Sequence, residues 1–190
     1  MFLRIIIIAF YLAWIIYWLV QEKKTYKEKP LSPEKPKLTN ILSRIGIRLL
    51  FLLVILQLLG LSLFPIGSNN PYQYIGFLVF LIGMAISVSA RIALSTNWSN
   101  AYEFQIKKGQ ELISHGIYKY IRHPIYSGIS IAFIGAEMVA GSWLWIYFPF
   151  ILFFGAYIQG KREEKILLAH FGEKYKNYMK KSKMLLPFII

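Results

Sequence analysis

The sequence of 190 residues contains no cysteine and only three histidines. The absence of cysteine excludes disulfide bonds, thiolate metal sites and a cysteine nucleophile. With so few histidines available as ligands, we expect no metal site. Charged residues are also scarce, at 16% of the chain compared with about 25% in an average soluble domain. Together with a hydrophobic content of 56%, this deficit indicates an integral membrane protein.

Acidic residues are few beside the basic ones, nine against 22, which gives a net charge of +13. A surplus of this size is common among proteins that bind nucleic acid. Here the basic residues flank apolar stretches, which is the arrangement that the positive-inside rule describes for membrane proteins. We therefore expect membrane lipids as partners and no nucleic acid.

Five apolar runs are candidates for membrane helices, each of which needs about 20 mostly apolar residues. They cover residues 2–20, 45–64, 74–94, 125–139 and 143–158. No small-residue cleavage site follows the first run, so we expect an uncleaved anchor rather than a signal peptide. Gly141 and Ser142 join the last two runs, which predicts a tight helical hairpin.

Basic residues are absent from the loops at 65–72 and 140–142 and are concentrated in three other segments. Eight lie within 23–48, five within 91–122 and eight within 161–183. Five spans place these three segments on one face of the membrane, which the bias in lysine and arginine marks as cytoplasmic. We therefore predict a multi-pass protein with its N-terminus outside and its C-terminus and active site in the cytoplasm.

The predicted fold class is an all-α membrane bundle of five transmembrane helices. Residues 1–94 form a region of three spans and residues 95–190 form a catalytic region, within one integrated domain. Arg91 lies near the end of the third run and is expected to snorkel to the membrane surface. The C-terminal segment is predicted to form an amphipathic cytoplasmic helix, with its apolar face made by Leu167, Phe171, Tyr175 and Tyr178.

Arg122, His123 and Pro124 stand directly before the fourth run. Proline is favoured at the first position of a helix, and it restricts the preceding residue to extended backbone. We therefore expect the imidazole of His123 to be held at the edge of a polar pocket on the membrane surface. A basic pair at this position can also serve only as an anchor at the lipid headgroups.

The acidic residues of the second half have different expected roles. Glu163 and Glu164 are adjacent and would point about 100° apart on a helix, so one can bind a ligand while the other pairs with a lysine. Glu137 lies within the fourth run, close to its outer end. For Glu137 we expect a structural hydrogen bond or a position at the membrane surface.

Several motifs, taken in order, resemble the isoprenylcysteine carboxyl methyltransferase family in its prokaryotic, integral membrane form. They include Gly116-Ile117-Tyr118, Arg122-His123-Pro124-Ile125-Tyr126, Glu163-Glu164 and Phe171-Gly172, with Asn97-Trp98-Ser99 upstream. The resemblance implies S-adenosyl-L-methionine as methyl donor and S-adenosyl-L-homocysteine as product. It implies donor contacts from Gln110, Glu111, Leu112, Ile113, Tyr118, His123, Pro124, Ile125, Tyr126 and Glu163, with Glu103 as an upstream candidate.

The methyl acceptor is left open by the sequence. The family often has an arginine where this chain has Gln159, which we also count among the donor contacts. A carboxylate acceptor needs a cation to orient it, for which Arg122 is the candidate. An amine acceptor, such as a phospholipid headgroup, needs a base, for which His123 or Glu164 is the candidate.

Three classes of function therefore compete. The first is a lipid-modifying methyltransferase, acting by carboxyl O-methylation or by phospholipid N-methylation. The second is a membrane reductase, because sterol reductases resemble this family in their C-terminal region; it would use a nicotinamide cofactor. The third is a non-catalytic membrane protein, such as a channel subunit, which would carry polar residues at mid-membrane depth. Gln57 and Glu137 are the candidates for such residues.

Overall fold

A computed structural model describes residues 1–25, 38–61, 63–67, 70–98 and 106–187 of the chain. Glu103, a donor contact suggested by the family resemblance, lies outside these residues. The described residues contain helices and no strand, which confirms the all-α prediction. Their α-helices are α1 Phe2–Thr25, α2 Leu38–Leu58, α3 Gln73–Leu94, α4 Pro124–Ala140, α5 Leu144–Phe171 and α6 Glu173–Lys181.

Glycines bring α3 and α4 together until their backbones touch. A Cβ added to Gly83 of α3 would lie 2.3 Å from a backbone nitrogen of α4, and one added to Gly135 of α4 would lie 2.3 Å from a backbone nitrogen of α3. Gly76 and Gly128 make similar contacts two helical turns along each helix. Small residues of this kind allow helices in a membrane to associate through close van der Waals packing.

Aromatic rings pack α1 and α2 against α4. The ring of Phe51 in α2 lies 4.6 Å from that of Phe133 in α4 and 5.2 Å from that of Tyr11 in α1, measured between centroids. Aromatic pairs of this kind contribute about 0.5–1.5 kcal/mol each beyond their burial. The main apolar core therefore lies where these helices meet and includes Ile7, Val54, Leu58, Phe80, Ala132, Ala136 and Val139.

Two polar side chains inside this core bind each other. Nε2 of Gln57 donates hydrogen bonds to both carboxylate oxygens of Glu137, at 2.8 and 2.9 Å. Both side chains are fully buried. The structural hydrogen bond predicted for Glu137 is therefore confirmed, and its partner joins α2 to α4.

The α4–α5 hairpin turns at Gly141, as predicted. Gly141 has a φ of 75°, a left-handed conformation that favours glycine at the end of a helix. The second predicted run extends beyond its helix, because α2 ends at Leu58 and the chain turns at Gly60, whose φ is 108°. The chain that follows crosses to the hairpin, where the amide of Trp143 donates to the carbonyl oxygen of Phe64 at 2.9 Å.

The predicted C-terminal amphipathic helix is divided between two helices. α5 continues unbroken beyond residue 158, where the fifth run was predicted to end, and includes Leu167 and Phe171. Tyr175 and Tyr178 belong to α6. The division occurs at Gly172, whose φ of 55° and ψ of −130° are readily adopted only by glycine.

Large apolar side chains are exposed along α1, α2, α3 and α5. Two stretches are long and apolar enough to cross a membrane, Phe2–Gln21 and Gln73–Asn97. Shorter apolar helices cover Ile45–Leu58 and Pro124–Ala140. Extensive exposed apolar surface marks sites of contact with a membrane or another protein. The count of five spans stays a prediction.

We expect Gly83→Ala to destabilise the protein by about 1–3 kcal/mol, because the new Cβ meets backbone atoms that cannot move aside without separating α3 from α4. Gly46→Ala is the control, since Gly46 lies in α2 with nothing within 4 Å of an added Cβ. Thermal unfolding in one detergent measures both variants. An unchanged midpoint for Gly83→Ala would contradict the close helix contact.

Candidate active site

A short parallel pairing fixes the segment that leads into α4. The amide of Lys183 donates to the carbonyl oxygen of Tyr120 at 2.9 Å, and the amide of Arg122 donates to that of Lys183 at 2.8 Å. The amide of His123 then donates to the carbonyl oxygen of Met184 at 3.0 Å. Backbone hydrogen bonds with Lys183 and Met184 thus hold Arg122 and His123 in fixed positions before α4.

The guanidinium of Arg122 is bound to the protein on several sides. Nε donates to Oε1 of Glu164 at 2.6 Å, and both side chains of this ion pair are almost completely buried. Nη1 donates to the carbonyl oxygen of Met179 at 3.3 Å and to that of Ser182. Buried ion pairs are stable only when such further hydrogen bonds accompany them. Arg122 therefore joins α5 to the end of α6.

His123 lies against both glutamates of α5. Its Nδ1 is 3.4 Å from Oε2 of Glu163, and its Nε2 is 3.6 Å from Oε1 of Glu164. Gly160 permits this approach, because a Cβ at that position would lie 3.1–3.2 Å from atoms of the imidazole. Pro124 takes the first turn of α4 as predicted. The predicted extended backbone of His123 is found in φ, at −124°, but not in ψ, at 56°.

Burial and neighbouring charges act in opposite directions on these groups. Burial lowers the pKa of His123, but hydrogen bonds and charge from Glu163 and Glu164 outweigh it and raise the pKa above its ordinary value. Burial raises the pKa of Glu164, but His123 and Arg122 outweigh it and hold the pKa below its ordinary value. These two shifts favour a protonated imidazole at His123 beside an ionised carboxylate at Glu164. No set of side chains in the described residues is grouped to hold a metal ion.

Glu163 points toward the ring of Tyr126 rather than toward Arg122. The hydroxyl of Tyr126 donates to Oε1 of Glu163, and Nε2 of Gln159 lies 3.5 Å from the same oxygen. The ring of Tyr126 stacks on His123, with centroids 5.7 Å apart and an interplanar angle of 16°. The adjacent glutamates thus diverge as predicted, although the main partner of Glu164 is an arginine.

Side-chain contacts with residues 96–98, directly after α3, position the segment that contains residues 110–113. Nζ of Lys107 donates to the carbonyl oxygens of Trp98 at 2.7 Å and Thr96 at 3.2 Å. The amide of Glu111 donates to Oδ1 of Asn97 at 2.7 Å. The Asn97-Trp98 motif therefore supports the segment that the family resemblance assigns to the donor.

One cavity of about 860 Å³ joins these elements. This volume falls within the range of small-molecule sites, roughly 300–1,000 Å³. Pro124 and Glu164 do not line it, because Pro124 is packed at the start of α4 and Glu164 faces Arg122. The other described candidate residues do line it, namely Gln110, Glu111, Leu112, Ile113, Tyr118, Arg122, His123, Ile125, Tyr126, Gln159 and Glu163.

Two tyrosines of α6 also line the cavity, although the sequence suggests only an amphipathic surface for them. The hydroxyl of Tyr178 donates to the carbonyl oxygen of Tyr118 at 2.6 Å. Burial raises the pKa of Tyr118 and of Tyr178 above the ordinary value, so both phenols keep their protons at neutral pH. The hydroxyl of Tyr175 is buried and has no hydrogen-bond partner among the residues that the structure describes.

The N-terminal helices supply a further wall that carries no recognisable motif. Trp14 and Trp18 of α1 and Arg48 of α2 line the cavity. The tryptophans are four residues apart and therefore share a helix face, which in the sequence is only a weak signal of a binding site.

Arg91 was predicted to snorkel to the membrane surface, but its side chain is buried, with 1% of its surface exposed. Its guanidinium lies 4.6 Å from the ring of Trp98 and 5.8 Å from that of Trp18. Cation–π contacts with these two rings therefore take the place of the interaction with lipid headgroups that was predicted.

Residues 72–174 match the phospholipid methyltransferase family. The probable protein-S-isoprenylcysteine O-methyltransferase of Oryza sativa subsp. indica is 31% identical over 120 residues, which is 62% of this chain and 62% of that protein. Protein-S-isoprenylcysteine O-methyltransferase of Schizosaccharomyces pombe is 32% identical over 118 residues, which is 60% of this chain and 48% of that protein. Methanethiol S-methyltransferase of Pseudomonas deceptionensis is 42% identical over 72 residues, which is 37% of this chain and 26% of that protein.

The fold is similar to the solved structure of a eukaryotic intramembrane Ras methyltransferase, isoprenylcysteine carboxyl methyltransferase. The TM-score is 0.56 at 21% identity, over 82% of this chain and 55% of that chain. These matches confirm the resemblance to the isoprenylcysteine carboxyl methyltransferase family. Each covers less than two thirds of the length of the relative concerned. The shared fold and the apolar helices support the prediction of an integral membrane protein.

We expect His123 to make stability depend on pH. A histidine whose pKa is raised by folding stabilises the fold fully below its unfolded pKa of about 6.5, and this contribution is lost as pH rises through the folded pKa. His123→Gln should therefore reduce the loss of stability on the alkaline side. Thermal unfolding in detergent from acid to mildly alkaline pH measures the slope.

His170→Gln is the control for this measurement, because His170 is exposed at the end of α5. Its pH profile should follow that of the unmodified protein. Identical slopes for His123→Gln and the unmodified protein would contradict the interaction of the imidazole with the two carboxylates.

Proposed function

Because the chain belongs to the phospholipid methyltransferase family, we propose that it is an integral membrane methyltransferase that uses S-adenosyl-L-methionine and methylates the carboxylate of a lipidic or prenylated acceptor. One observation carries the proposal. Glu163, Tyr126 and His123 form an acidic and aromatic cluster on a cavity that also has an extended apolar wall. A water-soluble cation and a lipidic molecule can therefore meet in one cavity.

The polar end of the cavity suits a sulfonium donor. Glu163 supplies a buried carboxylate, and the rings of Tyr118 and Tyr126 can contact a cation, with an energy of about 0.5–2 kcal/mol. The hydroxyl of Tyr175 is buried without a hydrogen-bond partner among the described residues, so it is available to a polar ligand. The donor, when bound, supplies an electrophilic methyl group, and S-adenosyl-L-homocysteine is the product.

The other part of the cavity suits an apolar chain. Its wall there is made by Leu50 and Phe51 of α2, Ile129 of α4, and Ile151 and Leu152 of α5. A prenyl or acyl chain can occupy this space, since burial of apolar surface stabilises binding by about 25 cal/mol per Å². In this proposal the acceptor enters from the bilayer between helices, while the donor enters from the cytoplasm.

Carboxyl O-methylation needs few catalytic groups. A carboxylate has a pKa near about 4 and is already ionised at neutral pH, so it needs no general base. The protein must hold the acceptor oxygen in line with the methyl group at about 3–3.5 Å. In this proposal Arg122 and Glu164 are positioning residues, because their ion pair holds His123 against Glu163 and thereby shapes the donor site.

Phospholipid N-methylation is the second candidate, favoured by the family match and by the position of His123 on the cavity wall. An amine acceptor must lose a proton before it can attack, and His123 is the group on the cavity wall that could accept it. The raised pKa of His123 works against this role at neutral pH, because it reduces the fraction of free imidazole. Carboxyl methylation is therefore the first candidate.

The proposed topology has five membrane spans, with the outer face at the α4–α5 hairpin. Its support is the distribution of charge, since the basic segments 23–48, 91–122 and 161–183 then share the cytoplasmic face. The cavity residues Gln110, Glu163 and Tyr178 lie in or next to these segments. An active site on the cytoplasmic face follows from the same topology, as does an N-terminus outside.

We expect Glu163→Gln to weaken binding of S-adenosyl-L-methionine by about tenfold or more, because it removes the buried carboxyl group that this proposal places against the donor cation. Glu173→Gln is the matched control, since Glu173 is exposed on α6 and pairs only with Lys176 among the described residues. Isothermal titration of the detergent-purified protein measures both. Unchanged affinity in Glu163→Gln would contradict the assigned donor site.

NADPH is titrated into the same preparation to separate the competing classes of function. A methyltransferase binds S-adenosyl-L-methionine and leaves NADPH unbound, and a reductase does the reverse. Binding of neither would favour a non-catalytic membrane protein. Incubation of the protein with labelled donor and lipid extract, followed by alkaline hydrolysis, then separates an ester product from a methylated amine.

A further inference from the structure

A second cavity, of about 350 Å³, lies at the hairpin end of the bundle. It is formed where the start of α1, the loop before α3 and the α4–α5 hairpin meet, with Arg4, Asn70, Gln73 and Gly141 on its wall. None of its lining residues belongs to the cavity around His123. His123 and Gly141 stand at opposite ends of α4, whose 17 residues span about 25 Å.

Two side-chain donors converge on the wall of this second cavity. Nη2 of Arg4 donates to the carbonyl oxygen of Ala140 at 2.7 Å, and Nδ2 of Asn70 donates to that of Met138 at 2.6 Å. A Cβ added to Gly141 would lie 3.6 Å from that nitrogen of Arg4 and 3.4 Å from that nitrogen of Asn70. The guanidinium and the amide are therefore close neighbours at the end of α4.

Both groups have donors that the protein leaves unused. The Nε and Nη1 atoms of Arg4 donate to no atom of the described residues, because the hydrogen bond to Ala140 is made by Nη2. The amide nitrogen of Asn70 carries two hydrogens, and its recorded partner is one carbonyl oxygen. The amide of Gln73 lies on the same wall. The cavity is therefore rich in hydrogen-bond donors.

The charge of Arg4 is only partly balanced by the protein. Its hydrogen-bond partner lies at the C-terminal end of α4, where the helix dipole corresponds to about half a negative charge. Residues 1–21, 59–73 and 138–148 include every segment of the cavity wall and contain no acidic residue. Glu137, which precedes the hairpin, is buried and hydrogen-bonded inside the core. The cavity therefore favours an anion.

We propose that this cavity is a binding site for a phosphate group, carried by a ligand distinct from the substrates of the candidate active site. Guanidinium groups bind phosphates through paired hydrogen bonds, and the amides of Asn70 and Gln73 can donate to the remaining oxygens. The volume is close to the lower limit of small-molecule sites, about 300 Å³, and fits a headgroup rather than a whole lipid. The inference does not depend on the proposed function, because the two cavities share no residue.

Exposed apolar side chains lie beside the phosphate site. Phe2 and Ile5 are at the start of α1, and Tyr74 and Ile75 are at the start of α3. They are between 57% and 75% exposed, and exposed apolar surface of this kind marks contact with a membrane. A phospholipid can therefore place its phosphate in the cavity and its chains along α1 and α3. A free phosphate ion satisfies the same donors, so the experiment must separate the two sources.

The experiment titrates three ligands into the purified protein in a neutral detergent and follows binding by calorimetry. They are dihexanoyl phosphatidylglycerol, dihexanoylglycerol and inorganic phosphate. The unmodified protein should bind the phospholipid about tenfold or more tightly than the diacylglycerol, because hydrogen bonds between charged groups add to the affinity. Binding of inorganic phosphate with equal affinity would identify a free phosphate as the ligand, and binding of the phospholipid alone would identify a membrane lipid.

Gln73→Glu is the test variant, because it places a negative charge on the cavity wall and leaves the hydrogen bonds of Arg4 and Asn70 in place. A carboxylate in the first turn of a helix is favourable, so the thermal midpoint should be unchanged or raised. The affinity for the phosphate-bearing ligand should nevertheless fall about tenfold. Loss of binding without loss of stability excludes a folding defect as its cause.

Gln110→Glu is the matched control, since it makes the same change of charge on the wall of the other cavity. It should keep the affinity for the phosphate-bearing ligand. Equal binding of phospholipid and diacylglycerol in the unmodified protein, without binding of inorganic phosphate, would overturn the inference, as would unchanged affinity in Gln73→Glu. An equal loss in both variants, or a loss confined to Gln110→Glu, would also overturn it, because the ligand would then not be bound at the hairpin end.

Discussion

The buried contact between Arg122 and Glu164 determines how the parts of the site fit together. Arg122 precedes α4, Glu164 lies deep in α5, and further hydrogen bonds from the same guanidinium reach the carbonyl oxygens of Met179 and Ser182. An unpaired charge in this position would be costly, since removal of one partner of a buried pair costs about 3–5 kcal/mol. The orientation of His123, and through it of Glu163, therefore depends on a residue that is not itself free to bind a ligand.

In the reaction we propose, the methyl donor and the acceptor carry opposite charges and therefore need different groups of the cavity. A sulfonium is positive and needs a carboxylate and aromatic rings, which Glu163, Tyr118 and Tyr126 supply. A carboxylate acceptor is negative and needs a cation instead. Because the two substrates carry opposite charges, they do not compete for the same groups in the cavity.

The sequence predicts much of this arrangement, because some features leave local signals. Pro124 marks the start of α4, Gly141 marks the hairpin, and the apolar runs mark the helices that cross the membrane or pack in the core. The motifs of the second half bring Tyr118 and Glu163 to one cavity, although they are distant in the chain. Each of these predictions depends on a short segment whose residue types constrain the backbone.

Other features could not be predicted, because they depend on how distant helices pack. Trp18 and Arg48 belong to the cavity only through the placement of α1 and α2, and no motif records that placement. The sequence around Arg91 is typical of a residue that snorkels to the membrane surface, but in the fold its guanidinium lies against the rings of Trp18 and Trp98. Gly172 divides the C-terminal segment by its backbone conformation, whereas side-chain periodicity continues across it.

The backbone contact of α3 with α4 has a consequence for how the cavity admits its ligands. Where these glycines meet the facing helix, the contacts are mainly with backbone atoms, which cannot change rotamer to let one helix slide or roll on the other. α3 and α4 therefore move as one rigid unit. A long-chain acceptor requires the cavity to widen, and this widening must come from α1, α2 and α5. These helices contact the α3–α4 unit and one another through side chains that can adopt other rotamers.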